Sequence, residues 1–434
     1  MKKIALFLLV SITGVLGSAK SQDSVFARSV MCQLSSAEMY GRGYSFKGDS
    51  IAASYLSQLF AEMEVEPIGI DRYFQHFMFN TFVMEGDCEL KIGKRVLEPG
   101  KDYYIAPFSI PLKDKKMRVI YADLKAIVQP GGLEMFCKEN RRRLESSLVY
   151  INTANMELGD AEKEFLQKLK TKSNPFNSKG VVLGVESLPS ATVAVQYDEN
   201  IKKYSLINVI DSLFSAKPET IQINYSNELR LHTTQNVCAM ISGSEVPDSI
   251  IIFSAHYDHV GTLGSKTYYP GAHDNASGTA AVMDIARYFS ANPPKYSVAF
   301  LLFTAEEAGL LGSSYFVMNP LFSLKKVKMA INLDMFCGGD DGLMVVNSQV
   351  KETKPFFDRM KELNEANRYV KELKSRPNAP NSDHYFLSMH CPAIFIYTLG
   401  GRYGGYHNVY DTCEECGLEN YQNIINLIIQ SVAD

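Results

Sequence analysis

Two histidines and four carboxylates stand where apolar runs of this chain come to an end, and a fifth carboxylate lies on the loop after the first run. The stretch I-I-I-F-S-A-H-Y-D-H-V-G delivers His256 and Asp258, G-A-H-D-N-A-S-G carries Asp274, and F-T-A-E-E ends in Glu306 and Glu307. N-L-D-M supplies Asp334, and His407 follows a Gly-rich loop. Imidazole and carboxylate ligands without cysteine suit a catalytic zinc, whose site keeps a position open for water or substrate. Two histidines and three carboxylates are too many for one tetrahedral ion. They suit two ions about 3.5–4 Å apart that share a bridging carboxylate, and Asp274 is the natural bridge. A lone His-x-Asp after a strand is more often a surface loop than a ligand pair; four strand ends bearing such groups are a constellation.

The elements that must position these groups alternate. Residues 250–253 form a continuous apolar run, which reads as a strand buried on both faces of a parallel sheet. Residues 277–289 repeat Ala281, Val282, Ile285, Ala286 and Phe289 at helical spacing. Buried runs at 298–303, 329–333 and 393–397 follow, with a helix expected from about Ala308. This order predicts a doubly wound α/β fold: a mixed, mostly parallel sheet with helices on both faces. Ligands then bind outside the carboxyl ends of the strands, where the candidate residues lie. Ile221, Ile223, Tyr225, Leu229 and Leu231 alternate, as antiparallel edge strands leading into that core would. Residues 34–66 carry a helical stripe of Ile51, Tyr55, Leu56, Leu59 and Phe60, ending near Pro67.

Between 87 and 215 the texture changes to short strand-like runs at 118–121, 147–152, 180–185 and 191–196, without a concentrated set of His, Asp or Glu. This reads as an inserted β-rich domain. The expected organisation is a signal peptide at 1–21, an N-terminal helical part of the catalytic domain at 22–86, the insertion at 87–215, and the catalytic domain at 216–434.

At 434 residues with 46% hydrophobic content the chain can bury a core in two domains, and a net charge of −4 gives no reason to expect a nucleic-acid partner. The basic runs at 113–118 and 141–143 are flanked by acids and read as solvated surface. Lys2 and Lys3, an apolar run at 4–16 and the small residues Gly17, Ser18, Ala19 and Ser21 have the layout of a secretory signal peptide. The expectation is cleavage after Ala19 or Ser21, export to the periplasm or the extracellular space, and no stable membrane anchor. The eight cysteines reveal no framework; Cys413 and Cys416, in C-x-x-C, are expected to form a local disulfide after His407.

Taken together, S-A-H-Y-D-H-V-G, G-A-H-D-N-A-S-G, F-T-A-E-E-A-G-L-L-G-S, N-L-D-M and Y-H-N-V-Y-D-T resemble the co-catalytic zinc aminopeptidases, a family that also includes glutamate carboxypeptidases and glutaminyl cyclases. The resemblance covers residues 216–434, and the region 34–66 looks like the family's N-terminal helices. It implies two zinc ions per chain, one held by His256, Asp274 and Asp334 and the other by Asp274, Glu307 and His407. It also implies Glu306 as general base and Asp258 as the residue that orients His256. Such a base takes a proton from water and passes it to the leaving amine. A hydrogen bond from Asp258 to the far nitrogen of His256 fixes the imidazole tautomer. Tyr406 matches a tyrosine of the carboxypeptidase branch that can donate to the oxyanion. His259 and His273 match no ligand position, and His384, in S-D-H-Y-F, matches a motif with a supporting role. Gly400, Gly401, Gly404 and Gly405 lack G-x-G-x-x-G spacing and read as a pocket lip rather than a phosphate cradle. The insertion stands where some relatives carry a protease-associated domain. The expected activity is removal of N-terminal residues from peptides. The alternatives are a carboxypeptidase, a glutaminyl cyclase, or a binding protein that would be expected to have lost ligands.

Overall fold

The computed structural model describes residues 23–433 apart from 172, 196–203 and 402–404. The expected signal peptide, Gln196 and Gly404 therefore lie outside the described residues.

The apolar runs pair into a nine-stranded mixed sheet among the described residues. Its middle is parallel: Tyr296–Phe303, Val246–His256, Val327–Leu333 and Ala393–Leu399 lie side by side, with Phe253 opposite both Phe300 and Ile331. Their stretches Ile250–His256, Ser297–Phe303, Met329–Leu333 and Ala393–Ile396 are buried throughout, which is why they read as unbroken apolar runs rather than alternating ones. The strand Glu228–Ile241 flanks them antiparallel and carries Phe74–Val83 on its other side. Helix Ser277–Ala291 packs Ala281, Val282, Ile285 and Ala286 on one face of the sheet, joined there by Ser24–Leu34, Gly48–Glu62 and Tyr421–Val432. Leu311–Met318 and His384–Ser388 pack Phe316 and Leu387 on the other. The mixed, doubly wound sheet with helices on both faces is thus as expected.

Two details of these layers differ from expectation. The region 34–66 is not one helix: Ser24–Leu34 and Gly48–Glu62 are separated by tight turns, and Ala52, Ala53, Leu56 and Phe60 are buried while Ile51 faces solvent. The turns exist because this segment touches another backbone. A Cβ on Gly41, whose φ is +62°, would stand 2.2 Å from the Gly261 carbonyl oxygen, and one on Gly43 would stand 2.4 Å from Gly261 Cα. The helix expected from Ala308 begins at Leu311, after a turn through Glu307.

The insertion folds into a second sheet of eight strands among the described residues, and Thr220–Tyr225 belongs to it, antiparallel to Leu112–Ala122, rather than leading into the first sheet. Leu112–Ala122, Ser147–Asn152, Gly180–Val185 and Ser205–Ile210 run parallel, linked in part by helices Gly132–Leu144 and Asp160–Thr171. The block is rich in strands, as the sequence suggests, and also carries helices between them. Its helices bury only Asn140 and Leu144, and Leu166 and Leu169, so their charged sequences conceal a helical period. Residues 191–195 form a strap rather than a strand, apart from an isolated bridge between Thr81 and Val195.

The expected Cys413–Cys416 bond is not formed. Cys413 pairs with Cys32 and Cys416 with Cys337, at Cα–Cα distances of 5.1 and 5.4 Å. The two cysteines face different partners, the N-terminal helix and the loop after Val327–Leu333, so C-x-x-C acts as two staples.

Candidate metal centre

The carboxyl ends of the parallel strands deliver the site. His256 is the last residue of its strand, Glu306 and Glu307 follow Phe303, and Asp334 follows Leu333. Asp274 lies on the turn Ala272–Ala276 that opens helix Ser277–Ala291, and its peptide bond to Asn275 is cis. His407 comes from the loop beyond Ala393–Leu399 and is buried.

Asp274 divides its two carboxylate oxygens between two groups. Oδ1 lies 3.2 Å from His256 Nε2, which is also 3.4 Å from Asp334 Oδ1. Oδ2 lies 2.9 Å from His407 Nε2, which is also 3.0 Å from Glu307 Oε1. Burial raises the Asp274 carboxyl, but the imidazoles of His256 and His407 outweigh it and hold the group well below the usual range. Glu307 is lowered to about 2, where burial and Asp274 push it up while His407 and His259 prevail. Conversely, burial lowers His407, yet Glu307 and Asp274 raise it to about 11. Glu306 behaves differently. Burial holds its carboxyl well above the usual range; His256 opposes the shift, and Glu307, Asp334 and Asp383 reinforce it.

This donor set fits divalent cations. Four carboxylates crowd two imidazoles in a buried pocket, an excess of negative charge that a protein interior tolerates only when paired. Asp334 Oδ1 is buried with no hydrogen-bond partner, as a ligand atom facing a cation would be. The donor atoms gather in two groups, Asp274 with Glu307, His407 and His259, and His256 with Asp334 and Glu306, and no thiolate is among them.

Asp258 sits beneath the pocket. Its carboxylate oxygens accept from the amides of Glu306 and Glu307 at 3.1 and 3.3 Å and from the Tyr44 hydroxyl at 2.8 Å. His256 Nδ1 is nearer to the Asp258 carbonyl, at 3.2 Å, than to its carboxylate, at 3.6 Å. Asp258 therefore shapes the Glu306–Glu307 turn as much as it faces His256. Tyr406 is 51% exposed and stacks its ring on that of His407, with centroids 3.8 Å apart. His384 is buried, bonded to Asn378 Oδ1 at 3.0 Å and packed on Phe395. His273 neighbours Cys337 and Cys416, whose sulfurs are committed to their disulfide.

Two residues of the site, Asp411 and Arg42, escaped the sequence reading, and His259, read there as matching no ligand position, lies within the site. His259 donates from Nδ1 to Glu307 Oε1 at 2.9 Å and joins the Asp274–Glu307–His407 group; its place in H-Y-D-H was the available signal. Asp411 accepts from the amides of His273 and Asp274 at 2.8 and 3.1 Å, anchoring the bridging loop, and burial raises it to about 7. Arg42 is fully buried and donates to five carbonyls, those of Tyr257, Leu34, Pro270, Gly271 and Asp274. Nothing in its sequence neighbourhood signalled that role.

The profile of Peptidase family M28 matches residues 236–432, which hold every ligand candidate. Aminopeptidase YwaD of Bacillus subtilis is 34% identical over 129 residues, 29% of this chain and 26% of that protein. A protein named "Probable zinc metalloprotease" of Pyrenophora tritici-repentis is 35% identical over 105 residues, 24% of this chain and 22% of that protein. The chain thus spans about a quarter of the length of these curated relatives. The solved structure of BSAP, a zinc aminopeptidase from Bacillus subtilis, covers 96% of this chain and 95% of its own, with a TM-score of 0.65 at 18% identity, a likeness of fold. Over residues 236–432, a little under half of its length, this chain is similar to peptidase family M28.

Proposed function

We propose that the protein is a zinc-dependent exopeptidase that removes N-terminal residues from peptides, using two zinc ions that share Asp274. The observation that carries this reading is the division of the Asp274 carboxylate between His256 with Asp334 on one side and His407 with Glu307 on the other. The names of two relatives, aminopeptidase YwaD and the zinc aminopeptidase BSAP, support the substrate class.

His256, Asp274 and Asp334 would hold one ion, and Asp274, Glu307 and His407 the other. Zinc in such a site polarises the scissile carbonyl and makes water a nucleophile at neutral pH. Glu306 adjoins a ligand without being one, and its raised affinity for protons suits a general base. It takes a proton as the water oxygen bonds to the carbonyl carbon, then delivers it to the amine nitrogen as the carbon–nitrogen bond breaks. Asp258 holds the Glu306 and Glu307 amides and so the angle between base and ligand. Tyr406, on the exposed flank of His407, is the candidate donor to the oxyanion.

The charged, apolar and small-residue sequence of positions 1–21 supports export. No helix among the described residues is long and apolar enough to cross a membrane.

Zinc-loaded protein incubated with free-amine, N-acetylated and N-terminal Gln peptides tests the reading. Stepwise loss of N-terminal residues from free-amine peptides alone is expected. Shortening from the carboxyl end, or release of ammonia from the Gln peptide without hydrolysis, would contradict it.

A further inference from the structure

The segment 186–195 leaves the insertion's sheet after Gly180–Val185 and crosses to the catalytic sheet, where the Ala194 carbonyl accepts from the Phe82 amide at 3.2 Å and the Thr81 hydroxyl at 3.0 Å. Midway it meets His407. His407 Nδ1 donates to the Ala191 carbonyl at 2.8 Å, and the Ala191 amide donates back to the His407 carbonyl at 2.8 Å. Ser190 Oγ adds a bond to the Tyr406 carbonyl at 3.4 Å. This clamp closes on a residue whose backbone needs holding, since His407 has a φ of +54°, in the left-handed region. Ala191 is 2% exposed, so water does not compete for its carbonyl.

A ligating imidazole is oriented by whatever its second nitrogen donates to, and the hydrogen bond fixes which nitrogen is left for the metal. For His407 that acceptor comes from the inserted domain, 216 residues away in sequence, and not from the sheet that carries the other ligands. We propose that segment 186–195 is a positioning element of the metal site: the Ala191 carbonyl holds the Nδ1–H of His407 and thereby aims Nε2 at Asp274 and Glu307. The insertion is then part of the catalytic apparatus, and its docking governs retention of the ion at His407. This inference rests on the ligand set proposed above.

The test uses full-length protein labelled with 15N-histidine, with the His407 Nδ1–H signal identified by its loss in His407→Gln. In the unsubstituted protein that proton is expected to exchange slowly, with or without zinc. Two variants loosen the clamp from outside the ligand set. Ala191→Pro deletes the returning amide. Tyr104→Phe removes the hydroxyl that accepts from the Thr192 amide at 3.1 Å, while keeping the ring. Faster Nδ1–H exchange and about 10- to 100-fold weaker retention of one zinc of the two are expected, with the second unaffected, as for loss of an outer partner of a ligand. A merely structural strap would lower the melting temperature and leave the two ions equally held. Rapid Nδ1–H exchange in the unsubstituted protein, or unchanged zinc retention in both variants when folded by circular dichroism, overturns the proposal. Should the unsubstituted protein bind no zinc, the ligand reading fails on its own, and Nδ1–H exchange in the zinc-free protein still decides the clamp.

Discussion

The guanidinium of Arg42 donates through Nε to the carbonyl of Tyr257 at 2.7 Å, so an arginine from the N-terminal turns holds the backbone between His256 and Asp258. Its remaining donors reach Pro270, Gly271 and Asp274 on the bridging loop and Leu34 at the end of the first helix. One planar fork thus sets the spacing between two ligand-bearing loops. An ammonium has three donors against five, so Arg42→Lys leaves at least two buried carbonyls short, at about 1–3 kcal/mol each. A fall in unfolding free energy of that order, read from urea titration of the zinc-free protein, is expected.

The ligand candidates stand out in the sequence because His256, Glu306, Glu307 and Asp334 follow buried apolar runs, with Asp274 and His407 on loops beyond such runs, and runs in alternation with helices can face one way only. Arg42 and Asp411 were not legible. They act on backbone amides and carbonyls up to 232 residues distant, a relation with no spacing signature. The same limit applies to the cysteines. Proximity of Cys413 and Cys416 suggested a local bond, whereas their partners are fixed by tertiary packing of the first helix and the loop at Cys337. The inserted block was visible as a change of texture, but its helices expose so many charged residues that only its strands stood out.

The Cys32–Cys413 bond closes a separation of 381 residues and ties the first helix to the loop beyond His407. Cross-links over long loops restrict the unfolded chain most, typically by about 2–4 kcal/mol. Cys32→Ser with Cys413→Ser is therefore expected to lower stability by about that amount in denaturant titration, with both zinc ions retained at low temperature.

Zinc binding is expected to depend on pH through His407. In the zinc-free protein the imidazole gains carboxylate partners and its pKa rises to about 11, above its unfolded value. Its charged pairing therefore stabilises the zinc-free fold in full below the unfolded pKa of 6.5, and that contribution is lost progressively as pH rises from there to about 11. A metal must displace the proton, so the apparent zinc affinity of this site should rise about tenfold per pH unit between 6 and 8. Calorimetric titration in buffers of different ionisation enthalpy counts the released proton. Affinity independent of pH across that range would contradict the assignment.

Glu306 and Glu307 are neighbours of identical chemistry with opposite electrostatics: the first is pushed up by burial, the second is held at about 2 by His407 and His259 against burial and Asp274. Glu307→Ala should lose zinc, since an alanine offers no ligand atom. Glu306→Gln should keep zinc and fold, because the amide fills the same volume but cannot take a proton. The measurement that bears most directly on the central claim is kcat of Glu306→Gln at confirmed occupancy of two zinc ions per chain. A positioned general base contributes about 10²- to 10⁴-fold, so a fall in kcat of at least that order with a much smaller change in KM is predicted. Near-normal turnover by the zinc-loaded variant would contradict it.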